Sequence, residues 1–381
     1  MNRFESIHIQ GYRRLLDVPL QMRPLTVMIG ANGAGKTSFL EVWSLLAAAC
    51  AGQLSAKISE LGGLSDLITR DKATSMAFDL SMSVPNHAPL DYHVQIEPQG
   101  PFYSIKKETL TQQNRYAGQP FKHIESFGLD IRYYNVDNRK LVRPTWEHNP
   151  LETSLAQVPK MFLEPETLRQ RLSSSTFYGA LNVAPKAPVR LPQQLVPAKL
   201  PGVHGESLVS CLFDLRETDH DRFDVLQDTL AAAFPDFERL DFPPVAAGTL
   251  AMTWKDKNYA RPMYMHQLSE GMLRFLWLAT LLQSRDLTAI TLIDEPEVSL
   301  HPELLSLLAD LMREAAQRTQ LIVATHSDRL IRFLKPEEVV IVDLEEGAAQ
   351  LTWADSLDLE QWLAEYTLDE VWQMGRIGGR S

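Results

Sequence analysis

Residues 30–37 read Gly-Ala-Asn-Gly-Ala-Gly-Lys-Thr, a G-x-x-x-x-G-K-[ST] pattern set between an apolar run and a helical one. That context restricts the chain to a strand, a loop and a helix built around phosphate. Leu25–Ile29 reads as a buried strand and Ser38–Leu46 has helical periodicity, so the loop ends where a helix N-terminus directs its dipole at an anion. The nucleotide-binding set then comprises Gly30, Ala31, Asn32, Gly33, Ala34, Gly35, Lys36, Thr37 and Ser38. Its glycines let backbone N–H groups turn toward phosphate, Lys36 reaches the β- and γ-phosphates, and Thr37 takes Mg²⁺.

About 260 residues further on, Ile290–Glu295 supplies what such a loop lacks. An apolar run suited to a central parallel strand ends in Asp294, expected to hold Mg²⁺ through water, and Glu295, expected to polarise an attacking water. Carboxylates at a strand's C-terminal end sit where α/β sheets bind ligands. Ahead of them, Leu268–Met272 runs into the apolar helix Leu273–Leu278, so Ser269 and Gly271 form another anion cradle at a helix start. A serine before a helix is by itself an ordinary cap, but one chain has no use for two cradles around one triphosphate. Leu321–Ser327 is a further apolar strand that carries His326 to the same edge of the sheet. A lone histidine after a strand is more often structural; the order and spacing of all four segments make this one catalytic.

In that order the segments resemble the ATP-binding-cassette ATPases, and within them the SMC/RecF/OLD-like group. Gly30–Thr37 match the Walker A loop, Leu268–Met272 the signature, Asp294 and Glu295 the Walker B pair, and His326 the switch histidine. Ser299-Leu300-His301-Pro302 falls where the group has its D-loop, and Phe4–Leu16 is similar to its first hairpin. The tail Leu368–Gly379 is similar to that of small predicted bacterial AAA-type ATPases lacking a Toprim domain. The resemblance implies an α/β chain with an ABC-ATPase-like P-loop NTPase fold, an antiparallel β lobe and a helical signature lobe. It further implies ATP and Mg²⁺ as cofactors, Glu295, His326 and Lys36 as catalytic residues, Thr37 and Asp294 as metal ligands, and an ATP-dependent homodimer. Two departures stand out: Glu270 replaces the glycine usual in transporter cassettes, and the Q-loop glutamine has three candidates, Gln95, Gln99 and Gln112, in undiagnostic surroundings.

Within this frame, residues 1–50 and 260–381 should make the ATP-binding core, 51–142 an antiparallel β lobe and 143–259 a Pro-rich insertion with a helical lobe. Alternation at Ser75–Met82 and Asp130–Tyr134 supports the β lobe, and nine prolines from Pro144 to Pro201 forbid a long helix and with it an SMC arm. Net charge is −11, yet residues 104–199 hold 14 Lys/Arg against 8 Asp/Glu, a local +6 that leaves −17 elsewhere. A basic lobe on an acidic body points to DNA or an effector protein as partner. Cys50 and Cys211 lack metal-binding spacing, and no apolar stretch is long enough to span a membrane, so a reduced, cytoplasmic protein is expected. Only 55 residues follow His326, too few for a Toprim domain, so no intrinsic nuclease is expected. The expected function is an ATPase that acts on or senses DNA or a partner effector in bacterial defence or repair; the alternative is a regulatory ATP-binding module that holds a toxin or nuclease inactive.

Overall fold

The computed structural model describes residues 2–100, 102–113, 119–363, 365–376 and 378, so Ile377 and Gly379 of the tail lie outside the described residues. The chain packs as two compact units, one of residues 1–176, 337–359 and 375–381, the other of residues 177–336 and 360–374.

The first unit is organised by an eight-stranded antiparallel sheet. In spatial order its strands are Leu15–Gln21, Phe4–Tyr12, Met76–Met82, Leu90–Gln99, Phe102–Gln112, Phe121–Phe127, Asp130–Asn135 and Lys140–Val142. The two alternating runs read in the sequence coincide with the third and seventh of these. Period-two patterning fixes which face is covered: Leu90, Tyr92, Val94 and Ile96 are buried, while Asp91, His93, Gln95 and Glu97 between them are partly exposed. The register then lines up His8, Asp79, His93, Thr109, Glu125 and Arg132 as one polar row on the opposite face. On the buried face, Phe4 meets Trp43 of the helix Lys36–Cys50 edge-on at 5.2 Å.

Residues 54–67, inside the expected β lobe, form two short helices instead, Leu54–Glu60 and Leu64–Leu67. The start of the first is fixed from a distance, because the Glu152 carboxylate accepts from the N–H groups of Leu54 (2.8 Å) and Ser55 (3.2 Å). A second buried carboxylate repeats the device. Glu108, fully buried in the sheet, accepts from Ser154 N–H (2.5 Å), Leu155 N–H (2.8 Å) and Tyr92 Oη–H (3.0 Å). Burial pushes its pKa above the usual carboxylate range.

The P-loop strand Leu25–Gly30 pairs in parallel with Val339–Glu345, which turns back onto Ala348–Trp353. A Cβ at position 30 would lie 2.3 Å from the Val342 carbonyl oxygen, so only glycine fits there.

In the second unit Ile290–Asp294 and Gln320–Thr325 form a parallel pair, with Asp294 opposite Ala324. The helices Leu208–Thr218, His220–Ala233, Glu270–Gln283 and Leu304–Ala315 belong to the same unit. Leu304–Ala315 buries Leu304, Leu308, Leu311, Met312 and Ala315 along one face. Phe234, Phe237, Trp254 and Phe275 stack at centroid distances of 4.5–5.8 Å into an aromatic core.

Candidate functional site

In the first unit the loop closes on its own lysine. Lys36, almost fully buried, is the first residue of its helix and donates from Nζ to the carbonyls of Gly30 (2.6 Å) and Ala31 (2.8 Å), which supplies the partners a buried ammonium requires. Gly33 (φ 73°) and Gly35 (φ 120°) are left-handed, and no side chain caps the helix at Gly35. Around Gly33 an added Cβ would meet nothing within 4 Å. Ala34 is buried, Thr37 exposed and Ser38 half-buried in the first turn. An uncapped helix start, a sheltered ammonium and open backbone at glycine make a set that fits a polyphosphate. The Thr37 hydroxyl and the Asp294 carboxylate are hard oxygen donors of the kind Mg²⁺ takes.

The second unit brings Asp294, Glu295 and His326 to the ends of its parallel strands. Glu295 follows the strand with φ 52°, a left-handed setting that a non-glycine residue adopts only when its surroundings enforce it. Part of the enforcement is the Glu295 N–H donated to the Ala324 carbonyl (2.8 Å). The result places Glu295 Oε1 3.5 Å from His326 Nε2, both side chains partly exposed. Glu297 faces the same strand end: its Oε1 accepts from Thr325 Oγ1–H (2.6 Å) and His326 N–H (3.2 Å). Burial raises the Glu297 pKa, and the nearby Glu295 charge raises it further.

Ser269 caps the helix Glu270–Gln283, its Oγ accepting from Met272 N–H (3.2 Å). Gly271 abuts the D-loop segment, where an added Cβ would stand 2.8 Å from the Ser299 carbonyl oxygen, and Ser299 is itself left-handed (φ 62°). Arg190, from the Pro-rich insertion, donates to the carbonyls of Val183 (2.6 Å), Leu268 (2.8 Å) and His266 (3.3 Å), and so fixes the turn that presents Ser269.

The structure thus groups the P-loop residues in one unit and places Glu295 with His326, and Gly271 with Ser299, in the other. Glu297 and Arg190 escape sequence reasoning. Glu297 had a faint signal as a second glutamate directly after Glu295-Pro296; Arg190, among prolines, had none. Of the Q-loop candidates, Gln95 donates to Ser75 Oγ (3.1 Å) and Gln112 to the Ala88 carbonyl (2.7 Å), both within the antiparallel sheet. The basic lobe is partly neutralised, with Lys106 on Glu97 (2.8 Å) and Arg132 and Arg143 on Asp130. Lys107, Arg139 and Lys140 have no ion-pair partner among the described residues. Also among them, no group of three or more His, Cys, Asp or Glu could hold a metal, and no helix is long and apolar enough to cross a membrane.

A family model described as "AAA domain, putative AbiEii toxin, Type IV TA system" matches residues 25–332. No curated protein matches the sequence. Among solved structures, the chain is similar to an Smc head bound to the C-winged helix domain of ScpA (TM-score 0.56, 15% identity, 92% of this chain and 97% of that one). It is also similar to the Smc head with an extended coiled coil bound to the C-terminal domain of ScpA from Pyrococcus furiosus (TM-score 0.56, 13% identity, 99% and 100% covered). The Smc head with a coiled coil and joint from Pyrococcus yayanosii gives TM-score 0.51 at 12% identity, with 98% and 100% covered. At these identities the likeness defines the fold, an SMC-head, ABC-type P-loop ATPase fold.

Proposed function

The chain belongs to this AAA-domain family, and on that premise we propose that it hydrolyses ATP and couples the cycle to closing and opening of a homodimer. The observation that carries the reading is the Glu295–His326 pair, 3.5 Å apart at the ends of parallel strands. In this scheme the P-loop of one protomer and the Ser269/Gly271 cradle of its partner enclose each ATP. Lys36 and the facing helix start neutralise charge on the transferring phosphoryl group, Glu295 orients the attacking water, and His326 contacts the γ-phosphate side. Mg²⁺, held by Thr37 and Asp294, would add further neutralisation of phosphate charge. Loss of the bridging phosphate then loosens the dimer.

The output we assign is action on a partner effector or DNA in bacterial defence or repair, in the cytoplasm; the family's description as a toxin of type IV toxin–antitoxin systems supports the defence setting. Two observations favour a protein partner over DNA: Smc heads of this fold bind ScpA domains, and at least six of the lobe's basic side chains are spent on ion pairs within the chain. A second reading follows from the same point, a regulatory module whose ATP-bound form holds a toxin or nuclease inactive.

Glu295→Gln tests the chemistry: it should bind ATP, lose most hydrolysis and, with ATP, elute as a larger species in size exclusion. Lys36→Ala should lose nucleotide affinity itself. A Glu295→Gln protein that turns over at the wild-type rate removes Glu295 from this role.

A further inference from the structure

We infer that Glu297 is a positioning residue whose carboxyl sets the backbone of His326, and through it the imidazole that faces Glu295. The inference rests on the proposed ATPase reading. Two segments must be held in register for the Glu295–His326 pair to exist, residues 294–297 and residues 324–327. One tie is the Glu295 N–H to the Ala324 carbonyl (2.8 Å), which fixes the backbone of Glu295. Nothing in that bond constrains His326, which lies beyond it.

Glu297 supplies the second tie, and its two donors are consecutive residues. Its Oε1 accepts from the Thr325 hydroxyl at 2.6 Å and from the His326 N–H at 3.2 Å. Order propagates outward from there. Thr325 Oγ1 accepts from Ser327 N–H (3.0 Å), and Ser327 Oγ accepts from Leu330 N–H (3.2 Å) to cap the turn Asp328–Ile331. On its own side Glu297 is held by its carbonyl, which accepts from Leu300 N–H (3.0 Å) in the D-loop segment. One carboxyl therefore connects the D-loop segment to the switch histidine.

Its chemistry suits that task. Glu297 Oε2 is shielded and has no hydrogen-bond partner among the described residues, and burial favours the protonated form. Oε1 alone serves as acceptor for both donors. A glutamine keeps that acceptor; a methionine keeps the length and removes it.

The test uses the full chain with Glu297→Gln, Glu297→Met and Thr325→Val, reading kcat, KM, equilibrium binding of a fluorescent ATP analogue, and amide exchange at His326 by NMR. In Glu297→Met, kcat should fall about 30- to 100-fold, the scale on which misplacement of about 1 Å acts. ATP-analogue affinity should stay within about twofold, and His326 N–H should exchange at least about tenfold faster, as expected of an amide that has lost its acceptor. Glu297→Gln should keep kcat within about threefold, and Thr325→Val, which removes one donor of two, should fall between. Wild-type kcat in Glu297→Met overturns the inference, as does a loss confined to affinity. If Glu297→Met does not fold, Thr325→Val decides, and wild-type kcat with unchanged His326 protection in that variant overturns it. If the wild-type chain hydrolyses no ATP, the ATPase reading fails by itself; unchanged His326 exchange in Glu297→Met would then sink the positioning role on separate grounds.

Discussion

Gly271→Ala separates the architecture of the signature turn from its function. Inside a helix, alanine in place of glycine gains about 1 kcal/mol of intrinsic propensity. Against this, the new Cβ would stand 2.8 Å from the Ser299 carbonyl oxygen, closer than real Cβ atoms approach backbone. Overpacking of this kind costs about 1–3 kcal/mol. The two effects nearly cancel, leaving a loss of about 0–2 kcal/mol, which for a protein of this size lowers Tm by only a few degrees. The clash is relieved where resistance is least. The helix is held by its buried face, including Leu273, Leu276 and Trp277, whereas Ser299 is exposed and left-handed, so the D-loop segment moves. A shift of about 0.5 Å there should reduce kcat about tenfold, if 1 Å is worth about 10²-fold. Thermal melting without nucleotide and steady-state ATPase on the same preparation measure both sides. A variant with wild-type kcat would show that the Gly271–Ser299 contact has no bearing on turnover; a fall in Tm beyond about 10 °C would show that the helix is not the stiffer partner.

Mixing Ser269→Arg chains with Lys36→Ala chains should recover part of the activity, since one intact composite site can form per heterodimer; strictly additive loss would argue against sites shared between protomers. Changing Lys106, Lys107, Arg139 and Lys140 together to Glu should abolish partner binding while basal ATPase persists. If DNA is the partner, the double-logarithmic salt slope should drop by about 0.9 for each phosphate that is no longer neutralised, and unchanged binding would leave the lobe a solvated surface. Glu108→Leu should cost about 3–9 kcal/mol in chemical denaturation, because three buried donors lose their acceptor at about 1–3 kcal/mol each; a loss below about 1 kcal/mol would refute that accounting. Because the folded-state pKa of Glu108 is raised above the ordinary glutamate value of 4.5, its contribution is complete below that pH and fades as pH rises through the raised value. Glu108→Gln should flatten this slope, and an unchanged profile would assign it to another group.

Much of the site was legible because its parts are local. A strand, a glycine loop and a helix start lie in consecutive residues, and the apolar runs ending at Asp294 and Thr325 announce buried parallel strands on their own. The Ser269 cap was likewise readable from its place before an apolar helix. What escaped depends on residues far apart in sequence. The opening hairpin joins the sheet of residues 76–142 through pairings such as Ile9 with Phe78, which no local period encodes. The helix at Leu54 starts where it does partly because Glu152, about 100 residues later, accepts its first N–H groups. Arg190 acts through backbone carbonyls and Glu297 through the Thr325 hydroxyl and a backbone amide, and a side chain's choice of such partners leaves no pattern in the sequence.

The lysine that grips its own loop has a kinetic side. With Lys36 Nζ already satisfied by Gly30 and Ala31, the P-loop is preorganised before any nucleotide arrives, so little ordering entropy remains to oppose capture. The same two bonds must be exchanged for phosphate contacts on entry and can re-form on exit. In the cycle proposed above, a departing product would leave behind a loop that closes on its own lysine rather than an exposed charge.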